Sequence, residues 1–236
     1  MSYRMRREYT YPMEVTALVP AYNEAPRIGR VLETLATSPG FKEIIVADDG
    51  SDDGTEEVAA KWATVLRTSH KGKGEALSLG VSAARGECLF FCDADIIGLT
   101  HVHIDAILSP VLSGQKEMSV GVRAEKMRRF LWWEWTPLLD GQRAVTRALW
   151  ERVPAEYKRG HRMDLVLNHY AQRSTSYCVI PVQQVVKEEK RGWLVGRWHR
   201  IAMYFDLFCT HVELLAKGRV KVFEVRRIPS GNTLFQ

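Results

Sequence analysis

Cys88-Leu89-Phe90-Phe91-Cys92-Asp93-Ala94-Asp95 is an apolar run that stops at two carboxylates one residue apart. The run reads as a buried strand, and carboxylates at the end of such a strand are costly to desolvate. A divalent cation held against a diphosphate would offset that cost, because Mg²⁺ and Mn²⁺ take oxygen ligands and share one or two carboxylates with substrate phosphates. A solvated turn would explain the same three residues if they stood alone. The rest of the chain decides between the two readings.

Upstream, Val15 to Val19 is a short strand that ends at Pro20-Ala21-Tyr22-Asn23-Glu24. Pro26 suits the first turn of a helix that carries Ile28, Val31, Leu32 and Leu35 at helical spacing. Glu43 to Ala47 is a second strand, with Asp48-Asp49-Gly50-Ser51 directly after it and a helix from Gly54-Thr55. Thr64 to Arg67 is a third strand, and Lys71-Gly72-Lys73-Gly74 leads into a helix over Glu75 to Ala84. Strands alternating with helices predict an α/β fold, a mostly parallel central sheet flanked by helices. Ligands of such sheets bind beyond the carboxyl ends of the strands. The segments at Pro20, Asp48 and Asp93 all follow strand ends, so they are expected on one rim.

The second half is less regular. Ile104 to Leu112 reads as a helix and Met118 to Val122 as a strand. Gln142 to Val153 and Met163 to Arg173 have helical spacing. Tyr177 to Val186 is a strand or strand pair, Trp193 to Lys217 a long helix or two short ones, and Val220 to Val225 a last strand. One domain over residues 1–229 is expected, with a nucleotide-binding half (14–100), an acceptor-side half (101–190) and a helical extension with the last strand (191–229). Residues 230–236 resemble a linker and protease-recognition remnant.

With 33 Lys and Arg against 28 Asp and Glu, the net charge is +5. That suits anionic substrates or an acidic membrane surface. No basic stripe or nucleic-acid module appears, which excludes a nucleic-acid partner. Cys88, Cys92, Cys178 and Cys209 lie in apolar stretches and read as reduced core residues of a cytoplasmic protein rather than zinc ligands. The N-terminal residues lack the apolar core of a signal peptide, and no run is long enough to span a bilayer.

The stretches Val19-Pro20-Ala21-Tyr22-Asn23-Glu24, Val46 to Thr55, Lys71-Gly72-Lys73-Gly74 and Asp93-Ala94-Asp95 together resemble the family-2 glycosyltransferases of the GT-A fold, in that family's order and spacing. The resemblance is dense from Val15 to Leu99 and looser to Val186. It implies a Rossmann-like sheet and a nucleotide-diphosphate sugar donor, with a UDP-sugar first and a GDP-sugar next. It also implies that Pro20, Ala21 and Tyr22 line the base and ribose, that Glu24 lies near the ribose, and that Asp48 hydrogen-bonds the base edge. Lys73 would neutralise the diphosphate or touch the nucleoside. Asp93, with Ala94 beside it, would contact ribose or metal, and Asp95 would bind Mn²⁺ or Mg²⁺. Asp52 and Asp53 read instead as turn and N-cap residues.

An inverting transferase needs a base for the acceptor hydroxyl. Asp164 in Gly160-His161-Arg162-Met163-Asp164 is preferred over Asp140 in Leu139-Asp140-Gly141-Gln142-Arg143. The motif around Gly141 to Ala144 and Gly160 to Asn168 is similar to sugar-phosphoglycerate synthases and polyprenyl-phosphate glycosyltransferases, so a retaining synthase-like transferase is the alternative. Arg143 would then bind a phosphate, or make a surface salt bridge. The family's C-terminal metal-binding His is missing from Gln184 to Lys190; Lys187 stands in that stretch, and His199 is a more distant candidate ligand. The departure keeps a non-catalytic nucleotide-sugar-binding protein open as a second class. Aromatic and basic residues interleave from Arg191 to Phe208, which fits peripheral contact with an anionic membrane and a lipid-linked acceptor, or a core-facing helix or homodimer contact. The Trp132-Trp133-Trp135 cluster would wall the acceptor pocket or the same interface.

Overall fold

The computed structural model describes residues 13–123, 141–160, 162–172, 177–182, 185–187 and 195–216. Asp140, the tryptophan cluster at 132–135, the strand expected at Val220 to Val225 and the segment at 230–236 lie outside these residues.

Strands β1 (Val15–Ala21), β2 (Phe41–Asp48), β3 (Thr64–Arg67) and β4 (Cys88–Phe91) alternate with helices α1 (Ala25–Thr37), α2 (Thr55–Ala59) and α3 (Lys73–Ala83). Next come β5 (Ile96–Ile97), α4 (His101–Leu112), β6 (Met118–Arg123), β7 (Gln142–Thr146) and α5 (Arg147–Arg152). A 3-10 turn at Ala155–Tyr157 leads to α6 (Arg162–Gln172), followed by β8 (Tyr177–Val182), β9 (Val186–Lys187) and α7 (Val195–Ala216). The main sheet has the order β3-β2-β1-β4-β7-β6-β8, and β5 pairs with β9 in a separate ribbon. β3, β2, β1 and β4 run parallel, and β7 is antiparallel to both of its neighbours. The mixed α/β sheet expected from the alternation is the one observed.

Alternation along the strands divides the core in two. Ala17, Val19, Val46 and Phe90 face one side with α1 and α4, whereas Leu18, Ile45, Leu89 and Phe91 face the other with α3, α5 and α6. Both faces are covered, so the central strands read as continuous apolar runs.

One expectation is corrected. Gln142 to Val153 is not a single helix: Gln142–Thr146 is the strand β7, and only Arg147–Arg152 is helical. Gln142, Arg143, Ala144 and Val145 are all buried. A strand covered on both faces has no period-two pattern, so its apolar positions merged with those of the helix behind it. The Thr146 hydroxyl accepts from the Leu149 amide and caps that helix.

The long helix expected in the last third forms as α7. It docks through Arg162 and Asp206, through the Tyr157 hydroxyl donating to Glu213 at 3.0 Å, and through His169 and His211 at 3.1 Å. Leu207, Thr210 and Leu214 are buried beneath it. No described helix is long and apolar enough to cross a membrane.

Burial, and then the neighbouring His211, pull the His169 pKa from 6.5 down to about 4. Between those values the unfolded chain binds a proton that the folded protein excludes. The contribution is therefore complete above pH 6.5 and disappears as pH falls to about 4. Its size is on the order of 3 kcal/mol. Urea denaturation at about pH 7.5 and about pH 4.5 should show this loss in the wild type and a smaller one in His169→Leu.

Candidate active site

Parallel register brings three strand ends together. Ala21 of β1 lies opposite Asp48 of β2, and Leu18 lies opposite Phe91 of β4. The Asp49 amide donates to the Ala21 carbonyl at 2.8 Å, and the Cys92 amide to the Leu18 carbonyl at 3.0 Å. Asp48 and Asp93 therefore leave the same edge of the sheet two strand spacings apart, roughly 10 Å between backbones.

The first two loops are stitched to each other. The Asn23 amide donates to Ser51 Oγ at 2.9 Å, and the Asp52 amide to Asn23 Oδ1 at 3.0 Å. The Glu24 amide donates to Thr55 Oγ1 at 2.8 Å. Asp53 accepts from the amides of Ala25 and Thr55, both at 3.1 Å, so it caps the turn. Glu24 is buried against Arg27, Pro20 and Ala21 sit at the end of β1, and the half-open Tyr22 ring packs on His70 at 4.3 Å between centroids.

Asp48 has no exposed surface. Its carboxylate accepts from the Ser51 amide at 3.1 Å, from the Ser51 hydroxyl, and from Arg67 at 3.2 Å. Contact with a base would require Arg67 to move aside. Asp49 does a task that its sequence neighbourhood does not announce. It accepts from the Lys71 and Gly72 amides at 2.8 Å each and from the Thr68 hydroxyl, and so holds the loop that starts α3.

That loop delivers Lys73 to a compact set of charges. Its ammonium donates to Asp93 Oδ1 at 3.0 Å and to Asp164 Oδ2 at 3.4 Å. Burial pushes the Lys73 pKa down, but the charges of Asp164 and Asp93 outweigh burial and hold it above its usual value. Arg143, fully buried, pairs with Asp164 Oδ1 at 3.1 Å and donates to the Asp164 carbonyl and Asn168 Oδ1 at 3.3 Å each. Lys73 and Asp93 are thus on the open side, and Asp164 and Arg143 form the floor. A phosphate contact by Arg143 would require its pair with Asp164 to open.

Two glycines permit this packing. A Cβ on Gly141 would lie 2.2–2.4 Å from the Asp93 carboxylate atoms, and one on Gly74 would lie 2.5 Å from the Lys158 carbonyl oxygen. Glu75 completes the second approach by accepting from the Gly160 amide at 3.0 Å. Asp49, Glu75 and Gly141 were not singled out as site residues in the sequence, because their partners lie tens of residues away.

Asp95 is buried immediately beyond β4 with Ala94. Ile96, the next residue, pairs with Lys187 across the β5–β9 ribbon, which sets the stretch that lacks the expected His beside the carboxylate pair. His199 falls within α7, and its side chain lies outside the described residues. Among the described residues no cluster of three or more His, Cys, Asp or Glu gathers as a metal site. Burial pushes the Cys88 thiol up to about 12 and raises Cys92 further, which leaves neither as an available thiolate.

The family model described as glycosyl transferase family 2 matches residues 16–180. The chain belongs to glycosyl transferase family 2. Among the curated members it resembles, the glycosyltransferase AglD of Haloferax volcanii is 34% identical over 125 residues, 47% of this chain and 20% of that protein. The dolichyl-phosphate beta-glucosyltransferase of Drosophila melanogaster is 38% identical over 101 residues, 35% of this chain and 31% of that protein. The chain spans less than half the length of such relatives. In fold it is similar to the glucosyl-3-phosphoglycerate synthase of Mycobacterium tuberculosis, solved with Mn²⁺, uridine-diphosphate and glucosyl-3-phosphoglycerate. That likeness has a TM-score of 0.72 at 20% identity and covers 91% of this chain and 82% of the other. The strand-end loops at Pro20, Asp48 and Asp93 of this family-2 chain all lie within the matched residues.

Removing one partner from a buried ion pair leaves an uncompensated charge and costs about 3–5 kcal/mol. Arg143→Ala should lose that much in urea denaturation, and a matching loss is expected for Asp164→Ala. The double variant should fall short of the sum of the two, since both remove one interaction.

Proposed function

We propose that this chain transfers a sugar from a nucleotide-diphosphate sugar, with a UDP-sugar as donor, to an acceptor. The observation that carries the reading is the shared rim: the Asp48 loop on one side of β1 and Lys73, Asp93 and Asp95 on the other. A nucleoside diphosphate spans that interval with its nucleoside over the Tyr22 side and its phosphates toward Lys73. The family match and the solved relative that holds uridine-diphosphate support the donor class.

The residues at the strand end fit a divalent metal. Asp93 and Asp95 offer only oxygen, which suits Mg²⁺ or Mn²⁺ when phosphate oxygens complete the shell. Asp93 and Asp164 are matched by Lys73 and Arg143, which leaves little positive charge over for a diphosphate. A further cation entering with the diphosphate would supply that charge. Asp95 would hold it with phosphate oxygens, the role that the resemblance of Asp93-Ala94-Asp95 implies. When bound, the metal supplies a Lewis acid that offsets charge on the departing diphosphate. The Lys73 ammonium adds a fixed positive charge on the same side.

Asp164 holds Lys73 with one oxygen and Arg143 with the other. That favours a positioning role over the general-base role expected from sequence. An acceptor presenting a phosphate oxygen is already anionic near neutral pH and needs no base. The relative named for dolichyl-phosphate supports an acceptor of that class, whereas the glucosyl-3-phosphoglycerate synthase, whose product carries its phosphate elsewhere on the glycerate, does not. A retaining transferase similar to the latter is the second reading, and the anomeric configuration of the product separates the two.

Thermal shift with UDP-glucose should show stabilisation that depends on Mn²⁺ and is lost in Asp95→Asn. Sugar release or transfer by Asp95→Asn at the wild-type rate would overturn the metal assignment. Asp164→Asn should weaken donor binding measured by calorimetry. A turnover collapse with unchanged donor affinity would instead return Asp164 to the role of base.

A further inference from the structure

α3 divides two environments. Lys73, Leu77 and Gly80 lie on the side that faces the sheet, where Leu77 is buried and Gly80 packs on Leu18 of β1. Glu75, Ser78, Leu79 and Ser82, at i, i+3, i+4 and i+7 spacing, lie on the opposite side, and none of them is buried. They line a groove of about 1080 Å³. α5 and the 3-10 turn form its other wall, which runs back along α3 from its carboxyl end to its amino end. The two walls meet at both ends. Arg147 donates to the Ala84 carbonyl at 2.7 Å, and the Lys158 carbonyl and the Arg159 backbone close on Gly74.

The lining of this groove is polar and basic. Five of its side chains are cations, and two, Glu75 and Glu151, are carboxylates. Two of the cations are engaged within the protein: Arg67 pairs with Asp48 and Glu56, and Arg147 holds the carboxyl end of α3. The other three gather where the loops touch at Gly72 and Gly74. Among the described residues no carboxylate lies within ion-pair distance of Lys71, Lys158 or Arg159. The Lys158 ammonium reaches inward to 4.7 Å from the centre of the Trp150 ring. Burial lowers its pKa, and the charge of Glu151 offsets only part of that. Further along α3 the polar groups change in kind. The Ser78 and Ser82 hydroxyls donate to helix carbonyls at 2.8 Å and 2.7 Å, so their oxygens are left to accept, as the Glu151 carboxylate must.

We propose that this groove binds a phosphorylated sugar or polyol, with its phosphate among Lys71, Lys158 and Arg159 and its hydroxyls donating to Ser78, Ser82 and Glu151. Cations with no carboxylate of their own form charge-assisted hydrogen bonds to phosphate oxygens. Acceptors further along the same groove suit a ligand whose remaining groups are hydroxyls. A ligand anionic along its whole length fits less well, because it would lie against Glu75 and Glu151. The groove is separate from the catalytic rim: α3 itself stands between it and the ion pairs of Lys73. The inference therefore goes beyond the transfer reading and does not rest on it.

Calorimetry of the full chain, titrated with glucose 6-phosphate and with inositol 1-phosphate in the presence of a chelator, tests the assignment. At least one of these esters should bind at a single site, more tightly than inorganic phosphate or free glucose. Lys158→Gln and Arg159→Gln should each weaken that binding by about tenfold. Arg159 is exposed, so its variant should keep the wild-type thermal midpoint and serves if Lys158→Gln does not fold. Asp95→Asn should bind the ester as the wild type does, and UDP-glucose with Mn²⁺, added without chelator, should not displace it. Displacement by UDP-glucose would give the ester to the catalytic rim and overturn the proposal. No binding of either ester, or binding indifferent to both groove variants, would overturn it as well. So would inorganic phosphate that binds as tightly as the esters, because the hydroxyl contacts would then contribute nothing.

Discussion

The ion chain from Asp93 through Lys73 and Asp164 to Arg143 joins four elements that are far apart in sequence. Asp93 follows β4, Lys73 begins α3, Asp164 lies in α6, and Arg143 lies in β7. Each charge would be costly in isolation, and each is compensated by its neighbours. The chain runs from the partly open side of the rim to the fully buried floor. It therefore couples the geometry of the strand-end carboxylates to the packing of the second half of the fold.

The loops around it serve that coupling. Asp49 gathers the backbone of Lys71 and Gly72, and Glu75 ties the start of α3 to Gly160. Gly74 and Gly141 have no side chain where another residue's atoms must pass. Remote from the cleft, Arg147 donates to the Ala84 and Gly86 carbonyls at 2.7 Å and 2.9 Å and closes the carboxyl end of α3. α3 is thus held at both ends by contacts from outside its own sequence, which places Lys73 firmly rather than on a mobile stem.

A rim of this kind has a definite electrostatic character. With its carboxylates already matched by cations, it is suited to an anion brought with a divalent metal. Lys187, paired in register with Ile96, brings a basic position close to the same carboxylates on a ribbon separate from the main sheet. That ribbon carries the stretch in which the His expected from the resemblance is absent and Lys187 stands.

Much was legible before any coordinates. The alternation of apolar strands with helices at 3.6-residue spacing determined the α/β class and the first four strands. Polar residues after each strand marked the rim, since only strand ends can leave a buried sheet for solvent. What the sequence did not determine was the second half of the sheet and the partners of the charges. Gln142 to Val145 is buried on both faces and so carries no alternation to read. Arg143 looked like a phosphate contact or a surface pair, and Asp48 like a base contact, because a charge in a linear sequence reveals its type and not its partner. Only the tertiary structure set Arg143 under Asp164 and Arg67 over Asp48, since burying a charge depends on what long-range packing brings within hydrogen-bonding distance.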